Sequence, residues 1–509
     1  MVGIRSGAVA AAALFLTACG GGPSGPLEAQ TGTTAWARAA GNSGNTVGTG
    51  VATFVDGSQI TVGAFDGAAA FGVGTPAATT LVPGTGVGVY LARYDKKGLL
   101  TWVRRAVGVG TVQAMGVVTH GDGTFSVTGF YDGSATFGEG EPNETLLATT
   151  GFEDVFVAHY AGDGRLLWAR SAEGTFGYEE ATRIAARPDG SIAITGQYTI
   201  AMTFGVGEPN ETALPPASGG AAGFVACFAA DGSLAWATSF SGTTVAGGWG
   251  VGACSDGGLA VCGYYAGDAV FGAGELAETH FTAVGTSLDV FTARYDANGN
   301  LVWARTAGDA GDDAAYGVAV APGDLVRVVG VFGGTATFGS ESLAPEALVG
   351  FGDSSDDFVA GYDDLGTFQW AKAFGSTGYD FATAIATFAD GTFAVTGTLA
   401  GDATFGAGEP SETHVSTAGV DDHEIFVARF QPDGRLDWLA ATAGILGSDN
   451  EGTAIAANSD GSCVVAGYFV DALTFTTGLT LIGHTNASLL GVGDHDAYLA
   501  RYNPNGGFH

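Results

Sequence analysis

A tryptophan recurs along this chain at an almost constant interval. Seven of the eight tryptophans are separated by 66 to 68 residues, and they are Trp36, Trp102, Trp168, Trp236, Trp303, Trp370 and Trp438. Such regularity over most of a 509-residue chain means that one supersecondary unit is repeated seven times. Because repeated units bury their apolar faces against each other, this interval constrains the fold more than any other feature.

Each unit contains four β-strand signals, which are clearest between residues 181 and 240. The run 184–187 (strand a) leads through a Pro-Asp-Gly turn into 191–196 (strand b). After a longer stretch come 224–228 (strand c), an Asp-Gly turn and 234–238 (strand d). Asp-Gly between two β-prone runs is a strong hairpin signal. The chain is therefore predicted to be all-β, with four strands per repeat.

The chain begins and ends out of phase with this repeat. It opens on a d strand around Trp36 and closes on a c strand around Tyr498. An open solenoid needs capping units, whereas a closed ring needs its last blade completed from the other end. We therefore predict one seven-bladed β-propeller over residues 33–505, in which the strand near Trp36 pairs beside the strand near Tyr498. Closure removes long exposed sheet edges, so we expect a monomer.

Three stretches carry a resemblance to a known family. They are DVFVAHYAGDGRLLWARSAEG (154–174), LDVFTARYDANGNLVWARTAGDAGDD (288–313) and DGTFAVTGTLAGDATFG (390–406). They resemble the bacterial β-propeller repeat of large exported proteins and, more distantly, NHL-type repeats. The resemblance covers residues 34–505 and implies that strand a lines a central channel and strand d lies outside. It implies no particular chemistry, because such repeats are not tied to one activity.

The N-terminus has the features of an export signal. Arg5 is followed by the apolar run 8–16 and by a small-residue cleavage site that ends in Cys19. The run is too short to span a bilayer as a helix, which takes about 20 residues. We predict a lipoprotein signal peptide over 1–18, then lipidated Cys19 and a Gly-rich flexible tether over 19–32. An ordinary cleaved secretory signal with an incidental cysteine is the alternative.

The segment also predicts a location. It resembles the bacterial lipobox, in which the cysteine is acylated. Gly20, in place of aspartate, implies by the same resemblance the outer membrane of a Gram-negative bacterium. The expected membrane contact is therefore this lipid anchor.

The charge balance excludes one class of partner. The chain has 18 basic and 52 acidic residues, a net charge of −34, which repels the phosphates of nucleic acids. Nine of the basic residues occupy two recurring positions, which are Arg38, Arg104, Arg170, Arg305 and Lys372 near strand d and Arg93, Arg294, Arg429 and Arg501 in strand c. We interpret them as structural partners of carboxylates or carbonyls, and the repeat tryptophans as packing between blades.

The connections divide the disc into two faces. Tight turns join a to b and c to d, so both sets lie on one face, here called the tight-turn face. The d-to-a loops and the longer b-to-c inserts lie on the opposite, long-loop face. Because the insert recurs, it is predicted to be an extra turn or a short hairpin. A protein or glycan partner is expected on the long-loop face.

Acidic residues gather on the long-loop face. They are Asp154, Glu179, Glu180, Asp289, Asp309, Asp312, Asp313, Asp353, Asp356, Asp357, Asp380, Asp421, Asp422, Glu424, Asp449, Glu451, Asp494 and Asp496. Oxygen ligands of this kind suit Ca²⁺, but none follows the EF-hand or nonapeptide calcium pattern. We interpret them as a solvated acidic rim, with a specific Ca²⁺ site as the alternative and no other cofactor.

Two histidines occupy matching positions before strand c of the last two repeats. If those blades are neighbours, His423 and His495, flanked by carboxylates, could meet at a transition-metal site. Two exposed loop histidines are commoner, and that interpretation is preferred.

Four cysteines besides Cys19 do not recur from repeat to repeat and show no metal-type spacing. They are Cys227, Cys254, Cys262 and Cys463. We interpret them as small core residues, with one disulfide among the first three as the alternative.

Catalytic motifs are missing from the sequence. It contains no nucleophile elbow, no HExxH, no Walker-type loop and no heme-attaching CxxCH. The sequence therefore favours a non-enzymatic binding module. The alternatives are a hydrolase or lyase with a carboxylate or metal site at the channel mouth, and a calcium-dependent adhesin.

Overall fold

The computed structural model describes most of the repeat region. It covers residues 35–149, 151–174, 176–352, 355–417, 419, 422–443, 449–470, 472–475, 487–490 and 495–507. The predicted signal peptide, Cys19, the tether, Asp353, Asp421 and Asp494 lie outside these ranges. Within them, no helix is long and apolar enough to cross a membrane.

Seven blades surround a central axis, and each contains the four predicted strands in antiparallel order. The innermost strands, a, of blades 1 to 7 are Thr46–Thr53, Val112–Thr119, Glu179–Ala186, Val245–Ala253, Ala314–Ala321, Phe381–Thr387 and Glu451–Ala457. The b strands are Gln59–Phe65, Phe125–Tyr131, Ile192–Tyr198, Leu259–Ala266, Leu325–Gly333, Phe393–Leu399 and Cys463–Phe469. The c strands are Gly88–Tyr94, Asp154–Tyr160, Ala222–Phe228, Asp289–Tyr295, Ser355–Tyr362, Glu424–Phe430 and Asp496–Tyr502. The d strands are Leu100–Val109, Leu166–Gly174, Leu234–Gly242, Leu301–Ala307, Phe368–Phe374, Leu436–Ala443 and, in blade 7, Trp36–Asn42.

The ring closes as predicted. The strand at the start of the chain pairs antiparallel with the last c strand, with Trp36 opposite Arg501 and Ala40 opposite Ala497. The seventh blade is thus built from both ends of the repeat region. The predicted all-β, seven-bladed β-propeller is confirmed.

Each b-to-c insert contains a short hairpin, which confirms the predicted shape. Its first strand, e, is Ala69–Phe71, Ser134–Phe137, Met202–Phe204, Asp268–Phe271, Thr335–Phe338, Asp402–Phe405 or Ala472–Phe475. Its second strand, f, is Thr79–Leu81, Thr145–Ala148, Thr212–Leu214, Thr279–Thr282, Glu346–Val349, Thr413–Ser416 or Ala487–Leu490.

The hairpin leaves its own blade and pairs with strand d of the preceding one. Strand e of blade 2, for example, places Ser134 opposite Val109 of blade 1. At five junctions this makes a six-stranded sheet, and at the other two a single bridge joins Gly308 to Thr337 or Gly375 to Thr404. The hairpin pairs with only the last two or three residues of strand d, so strand d remains the outer strand of its blade along the rest of its length, as the resemblance implies.

The repeat tryptophans tie neighbouring blades together. The indole N–H of Trp102 donates to the carbonyl of Gly162, in the c-to-d turn of the next blade, at 3.3 Å. Arg93, from strand c, donates to the same carbonyl at 2.6 Å. At three other junctions the equivalent tryptophan and arginine also donate to one shared backbone carbonyl, which is that of Lys96, Asp364 or Pro504. The predicted packing role of the tryptophans and the carbonyl-binding role of the strand-c arginines are confirmed.

Blade 2 has two histidines in place of the arginine and the phenylalanine that stack in blade 1. In blade 1, Arg93 stacks over Phe54 with its guanidinium carbon 4.0 Å from the ring centroid. The equivalent positions in blade 2 are His159 and His120, and both rings lie 2.8 Å from the hydroxyl of Ser126. Burial and the neighbouring His120 lower the pKa of His159 to about 4, and burial lowers the pKa of His120 as well.

We expect the double substitution His120→Phe, His159→Arg to reduce acid sensitivity. Because an unfolded histidine binds its proton near pH 6.5, the free energy of unfolding falls as the pH drops from about 6.5 to 4, by about 1.4 kcal/mol per pKa unit and group. Melting temperatures at pH 7.5 and 4.5 should therefore differ less in the variant than in the native chain. His280→Gln, at an exposed histidine, should leave the difference unchanged. An equal loss of stability in all three proteins would contradict this prediction.

Candidate functional site

The central channel is lined by the seven a strands and encloses a cavity of about 150 Å³. Each a strand contains one β-bulge, at Thr49, Met115, Thr182, Trp249, Tyr316, Thr383 or Thr453. Where the bulged residue is threonine, its hydroxyl donates to the next blade. Thr453, for example, donates to the carbonyl of Gly48 at 2.6 Å. The predicted role of strand a as the channel lining is confirmed.

One side chain breaks the symmetry of the channel. Arg183 stands where the other six blades carry glycine or alanine, which are Gly50, Gly116, Gly250, Gly317, Ala384 and Ala454. One of its terminal nitrogens donates to the carbonyl of Thr182 at 2.9 Å. Burial lowers the pKa of the guanidinium, while the nearby Glu451 opposes that shift. Sequence reasoning missed Arg183, although superposing the seven repeats would have revealed it.

The channel mouth on the long-loop face has an aromatic half and a charged half. Trp249 and Tyr316 have ring centroids 5.4 Å apart, and Tyr316 and Phe381 have centroids 4.5 Å apart. On the other side, the hydroxyl of Tyr468 donates to Glu451 at 2.6 Å, and burial raises the pKa of Glu451 to about 7.

The cavity at this mouth is small. Its volume is about 40 Å³, whereas pockets that take organic ligands measure about 300–1,000 Å³.

The predicted solvated acidic rim is wrong for most of its members. Eleven of these side chains are buried, and they are Asp154, Glu179, Asp289, Asp313, Asp356, Asp357, Asp380, Asp422, Glu424, Glu451 and Asp496. The reason is the blade junction. The amide of Asp313, just before strand a of blade 5, donates to the carbonyl of Leu288, just before strand c of blade 4, at 2.8 Å. Side chains that follow these backbone groups are covered by both blades. Asp312 stays exposed and accepts a hydrogen bond from the Leu288 amide at 3.0 Å.

The residues that face each other at a junction match in polarity. The first position of strand c or its equivalent is Gly88, Asp154, Ala222, Asp289, Asp356, Glu424 or Asp496. The facing position at the start of the next strand a is, in the same order, Val112, Glu179, Ala246, Asp313, Asp380, Asn450 or Thr46. Apolar residues thus face apolar ones at two junctions, and acids face acids at three. The residue at one position therefore matches the polarity of the residue that faces it.

Burial raises the pKa of the paired acids. At the junction of blades 2 and 3, burial, the charges of Asp154 and Glu153, and a hydrogen bond to Asp154 raise the pKa of Glu179 to about 8. At the next two acidic junctions, burial raises the pKa of Asp313 to about 8 and that of Asp380 to about 7.

The two loop histidines do meet, contrary to the preferred interpretation that they are separate and exposed. His423 Nδ1 lies 3.0 Å from one oxygen of Asp449, and His495 Nε2 lies 3.7 Å from the other. They converge because blades 6 and 7 are neighbours and Asp449 lies between them. The hydrogen bonds from both imidazoles hold the pKa of Asp449 below its usual range. Across the described ranges, no three His, Cys, Asp or Glu side chains are arranged as a metal centre.

All four described cysteines are buried and unpaired. Cys227, Cys254, Cys262 and Cys463 form no disulfide, which confirms their interpretation as core residues. Burial raises the pKa of each thiol, for Cys463 to about 12. Thiols of this kind are poor nucleophiles.

An aromatic patch, defined by Phe152, Phe176 and Tyr178, lies on the long-loop face at the junction of blades 2 and 3. These side chains are 51%, 70% and 55% exposed. The rings of Phe152 and Tyr178 stack at 5.2 Å with an interplanar angle of 10°. Phe176 has a φ of 62°, a conformation that costs energy for a residue with a side chain. Exposed apolar groups of this kind mark interaction surfaces. Sequence reasoning missed the patch.

The chain shares sequence with one viral protein. No family model matches it. Over 323 residues it is 26% identical to an uncharacterized WD repeat-containing protein, L264, of Acanthamoeba polyphaga mimivirus. The match covers 54% of this chain but only 23% of the viral protein, so the chain spans less than a quarter of that relative.

Two solved structures are similar at a low level. The Neurospora crassa Pan2 WD40 domain is 11% identical with a TM-score of 0.32, and the match covers 69% of this chain and 86% of that one. PorZ of Porphyromonas gingivalis, an essential surface component of the type-IX secretion system, is 11% identical with a TM-score of 0.15 and coverage of 89% and 75%. Neither similarity bears on function. The strand order itself identifies a β-propeller repeat protein.

Proposed function

We propose that this chain is a non-enzymatic interaction module of the exported bacterial β-propeller repeat type, which binds a protein through its long-loop face. The observation that carries the proposal is the aromatic patch. Phe176 and Tyr178 project more than half of their surface into solvent although apolar burial is favourable, by roughly 25 cal/mol per Å². A partner that covers the patch would gain that burial, and aromatic residues are frequent anchors of protein interfaces.

The binding proposal is tested by removing the patch. The native chain, the triple variant Phe152→Ser, Phe176→Ser, Tyr178→Ser, and a control variant are each immobilised and exposed to exported proteins of the source cell. The control is Val55→Ser, Leu365→Ser, at exposed apolar residues of the tight-turn face. We expect the triple variant to retain its bound protein at least about tenfold more weakly. Equal retention by the triple variant, or equal loss in the control, would contradict the proposal.

We further propose that the propeller is attached through Cys19 to the outer membrane of a Gram-negative bacterium. The apolar run that ends in Leu-Thr-Ala-Cys supports this location. The flexible tether after Cys19 would let the disc stand away from the lipid surface.

Replacing the acylated residue should release the protein. In Cys19→Ala, we expect fatty-acid labelling to disappear and the propeller to move from the membrane fraction to the soluble fraction. Cys463→Ala, at a buried cysteine of strand b, should keep both label and location. Labelled Cys19→Ala protein would refute the lipid anchor.

A hydrolase or lyase at the channel mouth is less well supported. The asymmetric pair Arg183 and Glu451 lies there, yet the mouth cavity holds only about 40 Å³. A substrate could touch these groups only from outside, where water competes for them. The wide face is better suited to a macromolecular partner.

A further inference from the structure

Two blade junctions hold the same pair of buried carboxylates. Asp289 faces Asp313 between blades 4 and 5, and Asp356 faces Asp380 between blades 5 and 6. Their side chains are at most 4% exposed. These are two independent occurrences of one arrangement, 67 residues apart.

Within the described ranges, the strand-c carboxylate of each pair has one oxygen without a hydrogen-bond partner. Asp289 Oδ2 accepts from the Val284 amide at 3.3 Å, and Asp356 Oδ2 accepts from the Phe351 amide at 2.9 Å. The other oxygen, Oδ1 in both residues, is buried and accepts no hydrogen bond from any residue that the structure describes. A buried polar atom left unpaired costs about 1–3 kcal/mol, and more when it is charged.

The second carboxylate of each pair is fixed by backbone amides. Asp313 accepts from the amides of Asp309 at 3.0 Å and Gly333 at 3.1 Å. Asp380 accepts from the equivalent amides of Ser376 and Ala400. Because amide N–H groups donate, they favour the ionised carboxylate in both places.

The unpartnered oxygen points at the fixed carboxylate across a glycine. A Cβ on Gly308 would stand 2.8 Å from Asp289 Oδ1 and 2.8 Å from Asp313 Oδ2. A Cβ on Gly375 would stand at the same two distances from Asp356 Oδ1 and Asp380 Oδ2. The two oxygens therefore converge on the same side of each glycine, and any larger residue there would collide with them.

No positive side chain balances these charges. Among the described residues, no lysine, arginine or histidine forms an ion pair with any of the four aspartates. The nearby carboxylate of Asp309 adds to the negative charge around Asp313. Buried charges of one sign are stable only with a counter-ion or a proton.

We propose that each of these two junctions binds one Ca²⁺ ion, held by Asp289 and Asp313 at the first and by Asp356 and Asp380 at the second. The ligands are all oxygens, which Ca²⁺ prefers over the nitrogen and sulfur ligands of transition metals. Two carboxylates neutralise the charge of one ion, and backbone carbonyls and water complete its shell of 6–8 oxygens. The ions would join blades 4, 5 and 6. The proposal is independent of the aromatic patch and its partner.

The chain contains its own comparison sites. At the junctions of blades 1 and 2 and of blades 3 and 4, the same positions hold Gly88 with Val112 and Ala222 with Ala246. These positions offer no carboxylate, so the two junctions should bind no ion there. At the junction of blades 2 and 3, the longer Glu179 reaches Asp154 instead, and a hydrogen bond between the two side chains helps to raise the pKa of Glu179.

The test is calcium titration of the chelator-treated full chain by isothermal calorimetry. We expect two ions per native chain, one for Asp289→Asn, one for Asp356→Asn, and none for the double variant. Asp402→Asn, at an exposed residue of strand e, should still bind two. Calcium should also raise the melting temperature of the native chain and leave that of the double variant unchanged.

Two results would overturn the proposal. The first is that calcium produces neither a heat of binding nor a thermal shift in the native chain. This would mean that protons, and not Ca²⁺, neutralise the paired carboxylates. The second is unchanged stoichiometry in the single variants. Since Asn removes a buried charge, the variants should fold at least as well in chelator, and circular dichroism verifies this. Should the double variant fail to fold, the two single variants decide the outcome.

Discussion

Glu179→Gln should make the propeller more stable in alkaline solution and leave it unchanged near pH 5. Glu179 is fully buried and faces Asp154 and Glu153, and its pKa is raised to about 8. An unfolded glutamate titrates near 4.3. Between these values the folded chain binds more protons than the unfolded chain, so the free energy of unfolding falls as the pH rises. Above about pH 8 the loss is complete.

The size of this effect follows from the shift. Each pKa unit corresponds to about 1.4 kcal/mol. The free energy of unfolding of the native chain should therefore fall by roughly 4 kcal/mol between pH 5 and 8.5. Glutamine has the same shape and cannot ionise, so the variant should lose less. Melting temperatures across this range provide the measurement, with chelator present throughout. Asp402→Asn, at an exposed position, should follow the native curve. Parallel curves for Glu179→Gln and the native chain would show that Glu179 ionises normally.

The sequence predicted the ring because the repeat carries strong local signals. Regular tryptophans and Asp-Gly turns specify each hairpin, and the d strand around Trp36 matches the c strand around Tyr498. The exchange of the e–f hairpins between blades was not predictable in this way. A three-residue strand such as Met202–Phe204 is too short to show the alternation of apolar and polar residues that marks a strand. No local sequence signal indicates which strand it pairs with.

The burial of the acidic residues could not be predicted from local composition. Carboxylates beside a loop are usually solvated, so Asp289 and Asp313 were interpreted as a rim. A comparison between repeats carried the missing signal, since Gly88 faces Val112 where Asp289 faces Asp313. The matched polarity of these two positions in each repeat indicates that the residues are in contact. The same comparison would have singled out Arg183.

The aromatic patch had no signal in the sequence. Phe176 and Tyr178 alternate with small residues as a strand would, and their exposure depends on how the d-to-a loop crosses the junction. The amide of Glu153 donates to the carbonyl of Gly177 at 3.3 Å and joins this loop to the approach to strand c. Contacts between segments this far apart in the sequence emerge only from the packed structure.

The existence of one continuous long-loop face depends on ring closure by the first strand. Trp36 is 4% exposed because it packs between blades 7 and 1, and Trp303 is 5% exposed at the equivalent place within the continuous chain. Large-to-small changes at buried tryptophans cost about 3–5 kcal/mol. If the first strand completes the last blade, Trp36→Ala should cost as much as Trp303→Ala.

The decisive measurement is therefore a comparison of chemical denaturation for the native chain, Trp36→Ala and Trp303→Ala under one condition. We predict that both variants unfold at similarly lowered denaturant concentrations. A native-like midpoint for Trp36→Ala beside a large loss for Trp303→Ala would contradict closure, because Trp36 would then lie outside the packed ring.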